Sequence, residues 1–320
     1  MKKTILLFTI LGCLIGTSAM AQQRTVLFSH QSVGRYMIRS VDAATEALRA
    51  DQNIRDRVTD PLDSEVEFWD HDYSYNTASD ESGTSFSTYG WRCGQNTDYD
   101  AWCVGMKQLI GDPFQDTPPD GYNGTTSAQA IAWRDFCSGF DIVIIKPGYR
   151  DIHLTSDIEL QEYKDFLNAA SDWWHTNNPG QYLCIMTSSS LRPPTGMGAP
   201  NDYSSTSGWA NNDPGGDALI ETERYAAFEL WLAKTWACRN PENRVFAMFR
   251  KCTNLTGGDY ITNFTKTEYT NDPDSSYDSG DHHLNKRASN ELQDDFVTFI
   301  NGMVSEMNEV TTRPQFRIDY

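Results

Sequence analysis

Asp141-Ile142-Val143-Ile144-Ile145 is the stretch that decides the fold. Four consecutive β-branched apolar residues show no alternation with polar ones. A strand of that kind has both faces covered, as in a parallel sheet flanked by helices. Outward from it, the chain alternates between short apolar runs and segments of helical period. Arg24 to Ser29 reads as a first strand, Val66-Glu67-Phe68-Trp69 as a second, Tyr182 to Thr187 as another buried strand and Val245-Phe246-Ala247-Met248 as a further one. Helical spacing is predicted from Tyr36 to about Ala50, where Met37, Val41, Ala44 and Leu48 share one face. It recurs over Ser127–Cys137, Asp157–His175 (capped near Ser156), Asp217–Ala237 and Asn285–Met307. Strand-helix alternation with right-handed crossovers predicts an α/β fold, a three-layer α/β/α sandwich on a parallel sheet of about five strands.

Three segments read as long loops: Asp70 to Asn123, Ser188 to Gly216 and Cys252 to Asp281. Loops of that length are usually functional or tied down. The first carries Tyr73, Tyr75, Tyr89, Trp91, Tyr99 and Trp102. Such rings suit either sugar faces or a small apolar core of their own.

The amino terminus predicts export. Lys2 and Lys3 precede an apolar run from Ile5 to Ile15, and Ala19-Met20-Ala21 supplies small residues before Gln22. That is a secretory signal over residues 1–21, too short for a membrane anchor. Residues 22–320 are then one domain, with loop insertions at about 70–125 and 188–216. A lipoprotein site at Cys13 is the alternative to ordinary cleavage. The expected location is secreted or periplasmic. The mature chain keeps Cys93, Cys103, Cys137, Cys184, Cys238 and Cys252, an even set that in an exported protein reads first as disulfides. Cys93 with Cys103 would staple a loop, and Cys238 with Cys252 would tie a helix end to a loop after a strand. Cys184, in an apolar run, also reads as a buried free thiol. No CxxC pair is present, which argues against a thiolate zinc site.

The formal net charge is −18 for the full chain, and loss of Lys2 and Lys3 with the signal leaves −20. A surface of that sign repels phosphate backbones and anionic bilayers, so neither nucleic acid nor membrane is an expected partner.

In a parallel sheet, ligands bind beyond the carboxyl ends of the strands. Those ends here carry Ser29 to Gly34, Asp70 to Asp72, Lys146 to His153 and, from the last loop, Asp281-His282-His283. Ser32 follows a strand and precedes a helix, where free N–H groups stabilise a developing anion. It is equally a residue type that helix starts favour as a cap. A serine hydroxyl needs a base, and a histidine oriented by a carboxylate supplies one. Asp70, His71 and Asp72, or Asp281, His282 and His283, also read as possible ligands of a divalent ion, without any HExxH-type spacing.

Together these motifs resemble the SGNH (GDSL-like) hydrolases. Val26-Leu27-Phe28-Ser29-His30-Gln31-Ser32-Val33-Gly34 is similar to their nucleophile block, in a branch where histidine and a polar residue replace Gly-Asp before serine. Phe68-Trp69-Asp70-His71-Asp72-Tyr73 resembles a second motif of that branch, and Asp141 to Lys146 its central strand. Asp281-His282-His283-Leu284-Asn285 resembles the final Asp-x-His-Pro-Asn block, with leucine for proline and Asp two residues before His. The ordered set covers most of the mature chain. The resemblance implies a flavodoxin-like sandwich and ester hydrolysis with no cofactor and no metal. Ser32 is then the nucleophile, His283 the general base and Asp281 its partner. Where the family places Gly-x-Asn-Asp, this chain has Gly148-Tyr149-Arg150-Asp151. Oxyanion and substrate contacts are expected from Gly34, Gly148, Arg150 and, in another register, His153. The implied substrate is a small-molecule or polysaccharide ester. The alternatives are a non-catalytic carbohydrate-binding protein on the same scaffold and a metal-dependent hydrolase.

Overall fold

The computed structural model describes residues 23–30, 33–38, 66–72, 77–80, 85–87, 135–146, 157–187, 218–253, 266, 269, 284 and 286–312. The run Ile142–Ile145 forms strand β5, buried along its whole length. It pairs in parallel with β1 (Arg24–His30) on one side and β6 (Tyr182–Met186) on the other. β2 (Val66–Asp72) adds beyond β1, and β7 (Asn243–Phe246) beyond β6. The parallel order is therefore β2-β1-β5-β6-β7, an α/β sheet as the apolar runs require.

Two antiparallel strands, β3 (Thr77–Asp80) and β4 (Ser85–Ser87), extend the β2 edge to seven strands. They fall where the sequence reads as loop. Their polar composition carries no apolar period, so pairing with the edge of β2 makes them strands, not propensity.

Alternate side chains of the strands enter two cores. Leu27, Val143, Ile145, Leu183 and Ile185 face helices α2 (Asp157–Asn177) and α3 (Ala218–Trp231). Val26, Phe28, Ile142, Ile144, Cys184 and Met186 face α1 (Val33–Ile38) and α5 (Lys286–Thr312). Helix α2 buries Leu160, Tyr163, Leu167, Ala170 and Trp174, at spacings of three and four that keep them on one face. Helix α5 does the same with Ala288, Leu292, Phe296, Ile300, Met303 and Met307. Each fully buried Ile or Leu of these cores contributes about 1.5–3 kcal/mol.

At the amino edge, the Asp141 carboxylate sets the β1–β5 register. It accepts from the Thr25 backbone N–H at 2.9 Å and from Arg24 Nη1 at 3.1 Å, while Arg24 Nε donates to Asn308 on α5 at 2.9 Å. Strand, strand and helix end are thereby joined at one point.

Three further expectations change. β7 runs from Asn243 to Phe246, two residues earlier than read, and Met248–Cys252 form a short helix, α4. Helix α3 passes into a π-turn at Leu232–Trp236, closed by Ala237 N–H to Leu232 O at 2.8 Å. The wide turn lets Trp236 Nε1 donate to Leu167 O of α2 at 3.0 Å within the core. Cys238 and Cys252 do not pair. All four described cysteines are free, with Cys137, Cys184 and Cys252 buried and Cys238 exposed. Cys238 precedes β7 and Cys252 follows it, and a four-residue strand spans about 13 Å, well beyond the Cα separation a disulfide bridges. The buried thiol read for Cys184 is present, its pKa raised by burial, as are those of Cys137 and of Cys252, the last to about 12. Cys93 and Cys103, residues 1–22, most of both loop insertions, and the capping site at Ser156 lie outside the described residues. Among the described residues, no helix is long and apolar enough to cross a membrane.

Helix α4 has no side-chain cap of its own, because Ala247 precedes it. Its first amides are satisfied from elsewhere: Phe249 N–H donates to Thr187 Oγ1 at 2.9 Å, and Arg250 N–H to Glu229 Oε2 at 2.9 Å. Burial raises the Glu229 pKa above its ordinary 4.5, partly offset by those contacts and by Arg250. A carboxyl raised in the folded state binds more protons there than in the unfolded chain. Its contribution to stability therefore falls as pH rises from 4.5 through the folded-state pKa, then levels off. Urea midpoints measured from pH 4 to pH 8 are expected to show this decline in the wild type. Its absence from Glu229→Gln would be seen as a wild-type minus variant difference that shrinks with pH.

Candidate functional site

The order β2-β1-β5-β6-β7 reverses direction at the β1–β5 junction. From β1 the chain crosses to β2 on the α1 side, and from β5 it crosses to β6 and β7 on the α2–α3 side. Connections leaving in opposite directions make the carboxyl ends of β1 and β5 the topological switch point, the place where such sheets bind ligands. β1 ends there at His30 and β5 is followed by Lys146, whose backbone N–H donates to Ser29 O at 2.8 Å and carries the ladder to the rim.

The period of two sorts the rim residues by face. Val26, Phe28 and His30 point to the α1–α5 side, as do Phe68 and Asp70. His30 Nε2–H donates to Asp70 Oδ1 at 2.5 Å. With Asp70 ionised the carboxylate only accepts, and Nε2 carries the proton. Both side chains are buried, at 0% and 2% exposure. The imidazole lies against the Phe28 ring, with centroids 4.6 Å apart.

On the α2–α3 side, Ser29 Oγ and His71 Nδ1 share a hydrogen bond of 2.7 Å. A serine beside a histidine is a nucleophile-base pair in outline. Both residues are at 0% exposure, however, and a substrate carbonyl has no access to Ser29. The pair fastens β1 to β2.

Asp70 and His71 thus face opposite sides of the sheet and have different partners, which separates two members of the ligand group read at this strand end. Among the described residues, no three His, Cys, Asp or Glu side chains are grouped to hold a metal ion. Lys146 is buried at the same rim. Its charge, like that of Lys266, lowers the Cys252 thiol pKa against the larger effect of burial.

Of the residues singled out from sequence, Gly34 is described. It lies on α1, and its Cα faces the His30 ring so closely that a Cβ there would stand 2.6 Å from His30 Cβ and Cγ and 2.8 Å from Nδ1. The glycine is required by this approach of helix to ring. Ser32, Gly148, Arg150, His153, Asp281 and His283 lie outside the described residues. Their described neighbours are His30 and Val33 on either side of Ser32's link, Lys146 before Gly148, and Leu284 after His283. Leu284 is buried in the α1–α5 core.

Sequence reasoning noted His30 and Asp70 in separate motifs without joining them. The signal was present in part: each stands two residues after a phenylalanine of its own strand, Phe28 and Phe68.

Comparison with family models, with curated proteins and with solved structures returned no match.

Gly34→Ala is expected to lower stability by about 1–3 kcal/mol, the range for overpacking a buried contact. The added methyl meets the His30 Cβ and ring, which Asp70 and Phe28 hold in place. Urea denaturation of the variant beside the wild type measures it.

Proposed function

We propose that this protein is a secreted or periplasmic serine esterase of the SGNH-like type, acting by acyl transfer to Ser32 on acylated, chiefly acetylated, carbohydrate. The observation that carries the reading is the position of the Ser32 link. It joins the last residue of β1 to the first turn of α1 at the switch point where the sheet reverses. The strand order is the flavodoxin-like 2-1-3-4-5, which the family resemblance led us to expect. Leu284 supports the placement of the base: it is anchored in the core shared by α1 and α5, one residue after His283.

In this mechanism Ser32 Oγ attacks the ester carbonyl while His283 takes its proton, and Asp281 holds the imidazole in the required tautomer. The tetrahedral oxyanion is met by backbone N–H groups at the start of α1, with Gly34, Gly148, Arg150 and His153 as the candidate donors and substrate contacts. Arginine is a fixed cation and serves a developing anion as well as the asparagine it replaces. The alcohol leaves with the proton held by His283. Water then attacks the acyl carbon as His283 removes its proton, and His283 returns that proton to Ser32 Oγ as the bond to it breaks and the acid leaves. General-base assistance contributes about 100- to 10,000-fold, and an oxyanion donor about 100- to 1,000-fold. In this reading the aromatic residues of the 70–125 loop supply faces for a sugar. A mature charge of −20 turns nucleic acid away.

The test is hydrolysis of 4-nitrophenyl acetate by the purified mature protein, with Ser32→Ala, Ser29→Ala and a chelator alongside. Ser32→Ala is expected to reduce kcat by about 1,000-fold or more, and the chelator to change nothing. Full activity in Ser32→Ala would sink the triad. If Ser29→Ala abolishes turnover while Ser32→Ala keeps it, the buried Ser29–His71 pair is the catalytic one. Sensitivity to the chelator would move the reading to a metal-dependent hydrolase.

A further inference from the structure

The His30–Asp70 pair is a costly thing to bury. Two groups able to carry charge sit at 0% and 2% exposure, where apolar side chains of similar volume would be neutral or stabilising. The same two strands place Phe28 and Phe68 one step earlier on that face, so packing alone does not ask for a histidine and an aspartate. The pair also stands at one particular place. His30 is the last residue of β1, two before Ser32, and its ring is the surface on which Gly34, two residues after Ser32, comes to rest.

From these contacts we infer that His30 and Asp70 form a positioning pair for the nucleophile turn. The inference rests on the serine reading of the site. The chain leaves the sheet at His30 and returns to the His30 ring at Gly34, so the segment carrying Ser32 begins and ends on one imidazole. Displacement of that ring shifts the Gly34 end, while the β1 ladder holds the other. Asp70 stops that displacement by accepting from Nε2–H at 2.5 Å. Phe28 covers one side of the ring, and Nδ1 takes no hydrogen bond among the described residues. A single strong, short contact therefore fixes the orientation. The ring is buried and meets no substrate, so its effect is on where Ser32 stands rather than on the proton it loses. A displacement of about 1 Å at a reacting atom costs about 100-fold in rate, which sets the size of the effect.

The experiment compares the wild type with His30→Leu, His30→Gln, Asp70→Asn and Ser32→Ala, each checked for folding by circular dichroism. Two quantities are read: kcat and KM on 4-nitrophenyl acetate, and the rate at which a fluorophosphonate labels Ser32. His30→Leu keeps the volume and loses the donor. Both its kcat and its labelling rate are expected to fall about 100-fold, with KM within about threefold. His30→Gln returns an N–H near the place of Nε2 and is expected to recover about tenfold or more of that loss. A pair that merely stabilised the fold would lower the melting temperature and leave the rate per folded molecule unchanged. If His30→Leu does not fold, Asp70→Asn, which keeps the shape and weakens the contact, takes its place. It is expected to lose about tenfold in kcat and labelling at unchanged KM. Wild-type rates in the folded His30 and Asp70 variants, with Ser32→Ala inactive, overturn the inference and leave the serine mechanism standing. Wild-type turnover in Ser32→Ala overturns both.

Discussion

The pairing of β1 with β5 is the constraint on which the rest of the molecule depends. Both strands are interior to the sheet, both are apolar on two faces, and neither can be satisfied without helices above and below. Right-handed crossovers then leave little choice. Helix α1 must lie on one face and α2 on the other, because their connections depart from this pair in opposite directions. The Asp141 carboxylate fixes the register at the amino edge, through Thr25 and Arg24. At the carboxyl edge the Lys146 amide continues the ladder to Ser29. The switch point between the two departing connections follows from the same geometry.

What fills the carboxyl edge differs in kind from what fills the middle of the sheet. Phe28 and Phe68 give way, two residues on, to His30 and Asp70, and Leu27 and Trp69 to Ser29 and His71. Both faces of β1 and β2 thus become polar toward their carboxyl ends, with Ser29 level with His71 and Asp70 level with Phe28. His30 is answered by Asp70 and Ser29 by His71 across the strand pair, as burial demands. Glu229 and Thr187 answer the amides of α4 in the same manner one strand further along. Polar groups at this edge hold backbone elements in place, which suits a rim where loops carrying the proposed triad must be aimed.

How much of this was legible depends on whether the signal was local. Ile142–Ile145 declared a buried parallel strand, and the helical period over Asp157–His175 declared a helix. Both stand in the structure close to where they were read. The polar residues of β3 and β4 gave no period, since edge pairing made them strands. β7 was read two residues late because Ala247 and Met248 are apolar and continue the run. They leave the strand to begin α4, whose cap comes from Thr187 and Glu229, distant in sequence. The π-turn at Leu232–Trp236 follows from a tertiary bond, Trp236 to Leu167. Of the site, sequence motifs named Ser32, Asp281 and His283 by resemblance. They named His30 and Asp70 only as separate motif members.

By itself, then, the sequence determined the class of fold, the two-sided burial of its central strands, the faces of its long helices and the acidity of its surface. Each of these is written in the period or the sum of neighbouring residues. Tertiary structure decided what depends on residues far apart in the chain: the order of the strands, the separation of Cys238 from Cys252 by the length of β7, and the meeting of His30 with Asp70. No local pattern encodes a hydrogen bond between two strands forty residues apart. It forms because parallel pairing sets Asp70 beside Phe28, one step back from His30 on the same face, and because burial leaves the two groups no water to turn to.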